Sequence, residues 1–314
     1  MLSCYQAWYF FSLLCNTPLP LNIIVPMKLR KHILGLSITA VLLTGSLAAH
    51  AQAYRNLRVG VGLGVTNYLG DLDDDLTFKF TQPGISITAA TRVTPHISMR
   101  AGFFQGRINA SDAKSSNAAR ERRNISVRTP ISELSLQMQV DFVPTTRRYS
   151  YRPRTTPYIF GGISVFSFNP QAKLSGKWVD LQPLGTEGQY LPTRVNPKTN
   201  VPYPAPYSRT QISIPLGVGF RMRLTKRMDI EVESGFRKTF TDYLDDVSGR
   251  YAYKPDLEAY NPTAALLMDP PSKAYPKGVW DINGIRGRNT QDDWYVYSCF
   301  TLSYIVDRIR CPKF

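Results

Sequence analysis

From Leu57 onward the chain returns, segment after segment, to one pattern: apolar residues at every second position, with glycine, polar or charged residues between them. In Leu57–Val65 the apolar set is Leu57, Val59, Val61, Leu63 and Val65; in Glu133–Phe142 it is Leu134, Leu136, Met138, Val140 and Phe142. A period of two belongs to a β-strand whose faces meet different surroundings, because successive side chains point to opposite sides. The pattern predicts strands over 57–69, 84–93, 96–108, 129–143, 157–168, 210–224, 227–242 and 293–306. Only 157–168 has faces that the alternation does not assign.

Most of these segments are too long for an ordinary sheet. Soluble strands run about 5–6 residues, whereas a tilted strand crossing a bilayer takes about 9–11. The connections at 93–96, 144–156 and 225–227 are short or moderate, and those at 70–83, 109–128, 169–209 and 244–292 are long. Strict alternation of the two kinds is the habit of outer-membrane barrels, with short periplasmic turns and long extracellular loops. The expected fold is therefore all-β, an antiparallel eight-stranded transmembrane β-barrel with long extracellular loops. A secreted β-sandwich is the alternative, although it has no need of alternating loop lengths. Composition removes other classes. With 43% hydrophobic and 12% aromatic residues the chain is too apolar for disorder. A mean hydropathy of −0.22 with one long apolar run excludes a polytopic helical membrane protein.

That apolar run lies near the N-terminus. Lys28, Arg30 and Lys31 precede Ile33–Ala49, and Ala49-His50-Ala51 is a small-x-small cleavage site, so 27–51 reads as a secretory signal peptide. Residues 1–26 precede a signal peptide that already begins at Met27, and they read as an upstream-start artefact, leaving 52–314 as the barrel. The expected location is the outer membrane.

If the apolar set faces lipid, the lumen receives Arg58, Arg92, Arg100, Arg221, Arg223 and Arg237 together with Glu133, Asp141, Asp229, Glu231 and Glu233. An eight-stranded barrel is only wide enough to be filled by its own side chains. Unpaired charges there would cost several kcal/mol each, so these residues predict a closed ion-pair plug and not a wide channel.

Little points to chemistry. Of three histidines only His96 lies beyond residue 51, which is too few for a histidine metal site or a Ser-His-Asp triad. Asp71, Asp73, Asp74 and Asp75 open like a calcium loop, but Leu76 and Gln82 occupy the positions where glycine and glutamate are required. Cys299 and Cys311 are too far apart along a strand for a simple bridge; Cys299 reads as a small lumen residue and Cys311 as free or intermolecular. No enzyme activity, cofactor, small-molecule substrate or nucleic-acid partner is expected. The formal charge of +15 is concentrated instead on the expected periplasmic side. There Arg147, Arg148, Arg152, Arg154, Lys226, Arg227, Arg308, Arg310 and Lys313 face only Asp307. Such a face can hold anionic outer-membrane lipids or dock an acidic partner.

Gly64-Val65-Thr66-Asn67-Tyr68-Leu69-Gly70-Asp71-Leu72, near the start of the predicted barrel, resembles the first strand of the PorG-like barrels of the type IX secretion and gliding machinery. The far end is similar too, through Arg286-Gly287, Asp292-Asp293-Trp294-Tyr295, Thr301-Leu302-Ser303-Tyr304 and Cys311-Pro312-Lys313-Phe314. The resemblance implies a non-enzymatic outer-membrane component of a secretion apparatus. Its partners would be periplasmic ring proteins of the PorK and PorN kind, docked on the basic face. The alternative is a small OmpX- or OmpW-like surface barrel whose long loops bind ligands or neighbouring cells. The loops 169–209 and 244–292 are long and rich in proline for either role.

Overall fold

A computed structural model describes residues 57–72, 80–112, 118–145, 151–272, 275–280, 284–287 and 291–306. The expected artefact and signal peptide at 1–51 lie outside the described residues, as do Asp73–Asp75, Arg147, Arg148, Arg308, Arg310 and Cys311. Among the described residues no helix is long and apolar enough to cross a membrane.

Eight long strands form the wall: β1 (Leu57–Leu69), β2 (Gln82–Arg92), β3 (Ile97–Ser111), β4 (Ser126–Asp141), β5 (Thr155–Phe168), β8 (Thr210–Arg223), β9 (Met228–Thr239) and β10 (Trp294–Val306). Each pairs antiparallel with its neighbours in the order β3-β2-β1-β10-β9-β8-β5-β4, and β3 also pairs β4, which closes the barrel. β1 and β10 meet along thirteen registered pairs, from Leu57 opposite Val306 to Leu69 opposite Trp294. Closure gives every wall strand a neighbour on both sides, the condition for a sheet in hydrocarbon.

The alternation has the expected sense. Leu63, Leu134 and Ile163 are 68, 65 and 64% exposed on the outer wall, while Arg58, Glu133, Asp141 and Glu231 are buried inside. β4 shows where this arrangement stops. Going up from its end at the short turns, Asp141, Gln139, Gln137, Ser135 and Glu133 point inward and Val140, Met138, Leu136 and Leu134 outward. Beyond Glu133 the polarity inverts: Ile131, Val127 and Ile125 are inside, and Ser132, Pro130, Arg128 and Ser126 outside. The upper third of β3 and β4 is thus built like a soluble protein. The inversion marks the upper edge of the band that lipid can cover.

β5 explains its own ambiguity. Its inward residues include Tyr158, Phe160, Phe166 and Phe168 and its outward ones Ile159, Ile163 and Val165, so both faces are apolar. Glycine makes room for the inward rings. A Cβ on Gly219 would stand 2.3 Å from the Tyr158 ring, and one on Gly217 would stand 2.5 Å from Phe160.

Above the rim the long connections fold into a cap. They carry α1 (Ala118–Arg123), the hairpin β6 (Gln171–Leu174) and β7 (Lys177–Asp180), α2 (Lys254–Tyr260) and α3 (Pro262–Met268). The hairpin touches the wall at one pair, Arg128 opposite Gln171, and Arg250 bridges only Ile285. Neither the hairpin nor the segment at Arg250 joins the wall, which among the described residues has eight strands. One apolar cluster runs from the barrel mouth (Tyr68, Phe104, Phe166, Tyr295) into the cap (Leu181, Leu244, Val247). A second, with Leu191, Tyr251, Leu257, Ala264 and Met268, belongs to the cap alone.

Candidate functional site

The lumen is a ladder of ion pairs. At the end with the short turns Arg152 meets Asp229, with its Nη2 at 2.5 Å from Oδ1. One level up, Arg58 Nε lies 3.1 Å from Glu231, which Arg221 approaches at 3.7 Å while binding Asp141 at 3.0 Å. Arg100 then meets Glu233 at 2.5 Å, and Arg237 meets Glu133 at 3.4 Å. Polar side chains add to the pairing: the Tyr158 hydroxyl donates at 2.9 Å to Glu233, Arg58 donates at 2.8 Å to Gln139, and Ser303 donates at 3.0 Å to Glu231. Buried charge is tolerable only when paired and hydrogen-bonded in this way. A void between Arg100, Glu133 and Glu233 has a volume of about 20 Å³, enough for about one water. Arg92 is buried at the same end of the barrel as Arg58.

Two residues stand elsewhere than expected. Arg152, assigned to the exposed basic face, is 4% exposed. Besides Asp229 it donates to the carbonyls of Lys226 (2.9 Å), Thr225 (2.9 Å) and Met228 (3.1 Å), and so closes the lower mouth. Arg223, assigned to the plug, is only half-buried at the rim and donates to the Arg152 carbonyl at 2.9 Å. Arg154, Lys226 and Arg227 are exposed at that end. His96 sits in the turn, with Nδ1 2.8 Å from the Asp141 carbonyl oxygen. Cys299 is a buried free thiol whose Sγ lies 3.5 Å from Glu233.

At the other end the cap is riveted by charges that sequence reasoning missed. Arg123 grips both oxygens of Asp112 (2.7 and 2.9 Å) and donates to the carbonyls of Asp71 and Arg286. Arg286, fully enclosed, pairs with Glu187 at 2.9 Å. The Tyr68 hydroxyl lies 2.7 Å from Asp245 and 2.6 Å from Asp293. Burial and the Asp71 carboxylate push Asp245 up to about 7, and burial with Asp245 beside it raises Asp293. Burial pushes Asp242 up to about 8 and Asp246 up to about 6. Among the described residues no group of three or more His, Cys, Asp or Glu is arranged to hold a metal ion. A stack of rings, Phe168–Tyr207–Tyr243, leads from the barrel mouth into the cap, with centroids 6.1 and 4.5 Å apart. It ends at a cavity of about 240 Å³ between 187–204 and 243–251. The only advance sign of the cap lay in the length and proline content of its loops.

The fold and lumen define a closed, plugged, antiparallel eight-stranded barrel. The sequence family described as Domain of unknown function (DUF6089) matches residues 35–181. No curated protein matches the chain. Three solved barrels are similar in structure. The attachment invasion locus protein Ail of Yersinia pestis is 7% identical, with 80% of this chain and 98% of that chain covered and a TM-score of 0.37. Neisserial surface protein A is 10% identical, covering 79% and 96%, with a TM-score of 0.38. The outer membrane protease OmpT of Escherichia coli is 9% identical, covering 81% and 98%, with a TM-score of 0.33.

Proposed function

We propose that this protein is a non-conducting outer-membrane barrel whose working surface is its folded extracellular cap. The observation that carries this reading is the cap itself. Connections that need only join strands have instead acquired an apolar core, three short helices, buried salt bridges and a cavity. A loop that merely closes a barrel has no use for such fixed structure, whereas a binding surface gains from being rigid before its ligand arrives. The location is supported by the outward apolar band, and the absence of conduction by the paired charges that fill the lumen. The test is surface labelling of intact cells together with conductance in planar bilayers. Cap residues should be labelled from outside, and no stable channels should form. Labelling only after the outer membrane is breached would overturn the orientation.

A second reading keeps the secretion role. It is favoured by the terminal motifs that resemble the PorG-like barrels and by the exposed Arg154, Lys226 and Arg227 at the periplasmic rim. Under it, a pull-down from solubilised membranes should return periplasmic ring proteins in stoichiometric amounts; recovery of the bare barrel would count against it.

A further inference from the structure

The cap cavity is built around one carboxylate. Glu187 is 1% exposed at its floor. Its Oε1 accepts from Arg286 Nη1 (2.9 Å), the Ser248 amide (2.9 Å) and the Gly249 amide (3.3 Å). Its Oε2 receives only two long contacts, from the Tyr243 hydroxyl and the Gly249 amide, both at 3.4 Å. One oxygen is therefore saturated and the other retains acceptor capacity beside a cavity it lines. Tyr203, Tyr243 and Tyr251 line the same space, as do Asn196 and, exposed toward solvent, Arg250. Asn196 spends its carbonyl oxygen on the amides of Lys198 (3.0 Å) and Thr199 (3.3 Å), which leaves its NH2 group to donate elsewhere.

Arg286 pairs with Glu187 at 2.9 Å and stands 3.8 Å from Asp246, and Arg250 lines the same space, so two carboxylates face two guanidinium groups and no net charge is left to hold an ion. The cavity offers directed acceptors and donors interleaved with ring surface. That mixture complements a molecule with hydroxyls at its edge and C–H groups on its faces. The cavity's 240 Å³ exceeds the roughly 150 Å³ that accepts a benzene ring, room for a single sugar ring and not for a long chain. We propose that this cavity binds one ring of a neutral saccharide, with Glu187 Oε2 accepting from a sugar hydroxyl, Asn196 donating to another, and tyrosine rings lying against the apolar side. The proposal rests on the cap being the working surface.

Two substitutions test it without dismantling the cap. A Cβ on Gly249 would meet only Glu187 Oε2, at 3.9 Å, within 4 Å, so Gly249→Leu puts a side chain into the cavity from a position with space for it. Asn196→Asp keeps the oxygen that caps its own turn and removes the NH2 donor. The purified full chain in detergent is titrated with the methyl glycosides of glucose, galactose, mannose and N-acetylglucosamine, and in parallel with tetramethylammonium, using saturation-transfer NMR. We expect saturable binding of at least one glycoside, lost in Gly249→Leu and weakened about three- to tenfold in Asn196→Asp, the worth of one hydrogen bond. Three results would overturn the proposal: no glycoside binds, binding survives Gly249→Leu, or tetramethylammonium binds and tightens in Asn196→Asp. Surface labelling of the cap separates the two claims. A labelled cap that binds no glycoside removes the saccharide alone, and an inaccessible cap removes the surface reading.

Discussion

Arg152 spends its whole guanidinium fork. Two nitrogens bind Asp229 and two reach carbonyls of the 225–228 turn, all in the buried lower mouth of the barrel. A lysine there keeps the charge but not the fork. Arg152→Lys should therefore lower stability by about 1.5–3 kcal/mol, the range for hydrogen bonds to charged groups. Arg154→Lys, on an exposed residue two positions on, should stay within about 0.5 kcal/mol. The unfolding temperature read from heat-modified gel mobility distinguishes them, and equal effects would contradict the buried placement of Arg152. In the sequence Arg152 looks like its neighbours Arg147, Arg148 and Arg154. What sets it apart is Asp229, 77 residues away, and no local signal reports a contact that distant. Glu231 was legible, since alternation alone put it inside. It lies between Arg58 and Arg221, so Glu231→Arg would crowd three guanidinium groups in a closed space. A loss of at least about 3–5 kcal/mol is expected. An unchanged unfolding temperature would mean that the side chain has an exit to water.

The cap is fastened to the wall where the end of β1, the segment after β9 and the start of β10 converge on Tyr68. A phenol carries one proton, yet carboxylates of Asp245 and Asp293 both stand within hydrogen-bonding distance of its oxygen. One of them must carry a proton of its own to donate back. Asp71 and Asp242 face this trio with the same sign, and Arg123 opposes them. The folded state thus binds a proton more tightly than the unfolded chain, in which a carboxyl titrates near ~4. The stabilisation is complete below that value and is lost as pH rises through about 7, the folded value for Asp245. Limited proteolysis of the cap should accelerate between acid and neutral pH, by at most about tenfold per pH unit for one proton. Asp293→Asn, which supplies a permanently neutral donor, should flatten the profile; a profile unchanged by that variant would remove the shared proton. This element could not be read in advance. Tyr68 sits in an apparently ordinary strand, and its partners lie 177 and 225 residues further on. β5 failed for a different reason. Alternation detects a difference between faces, and aromatic rings filling the inside against aliphatic chains outside provide none. Where charged or polar side chains alternated with aliphatic or aromatic ones, as in β4 and β9, the strands and their inward sides were plain.

At the scale of the molecule, the barrel is two materials stacked: a lower section with charge inside and grease outside, and an upper section whose interior mixes apolar clusters with buried ion pairs. The first was legible because a bilayer imposes one rule on every strand. The second was not, because its order comes from contacts between loops far apart in the chain. Both sections block passage, the lower by ion pairs and the upper by the apolar cluster at the mouth. In planar bilayers the purified chain should therefore give no large stable channels, and removing the cap alone should not open any. Frequent openings in either form would show that the ladder of charges breathes. The seam between β1 and β10 has a further consequence, for manufacture. These strands stand more than 220 residues apart at their nearest paired ends, Leu69 and Trp294, so the ring cannot close until the last wall strand has been delivered. Until then β1 and β9 each present a bare edge, which hydrocarbon does not tolerate. A chain entering the bilayer must therefore have both edges covered, by its own temporary pairing or by a helper's strand, until β10 arrives. The thirteen pairs of the seam cover both edges at one stroke.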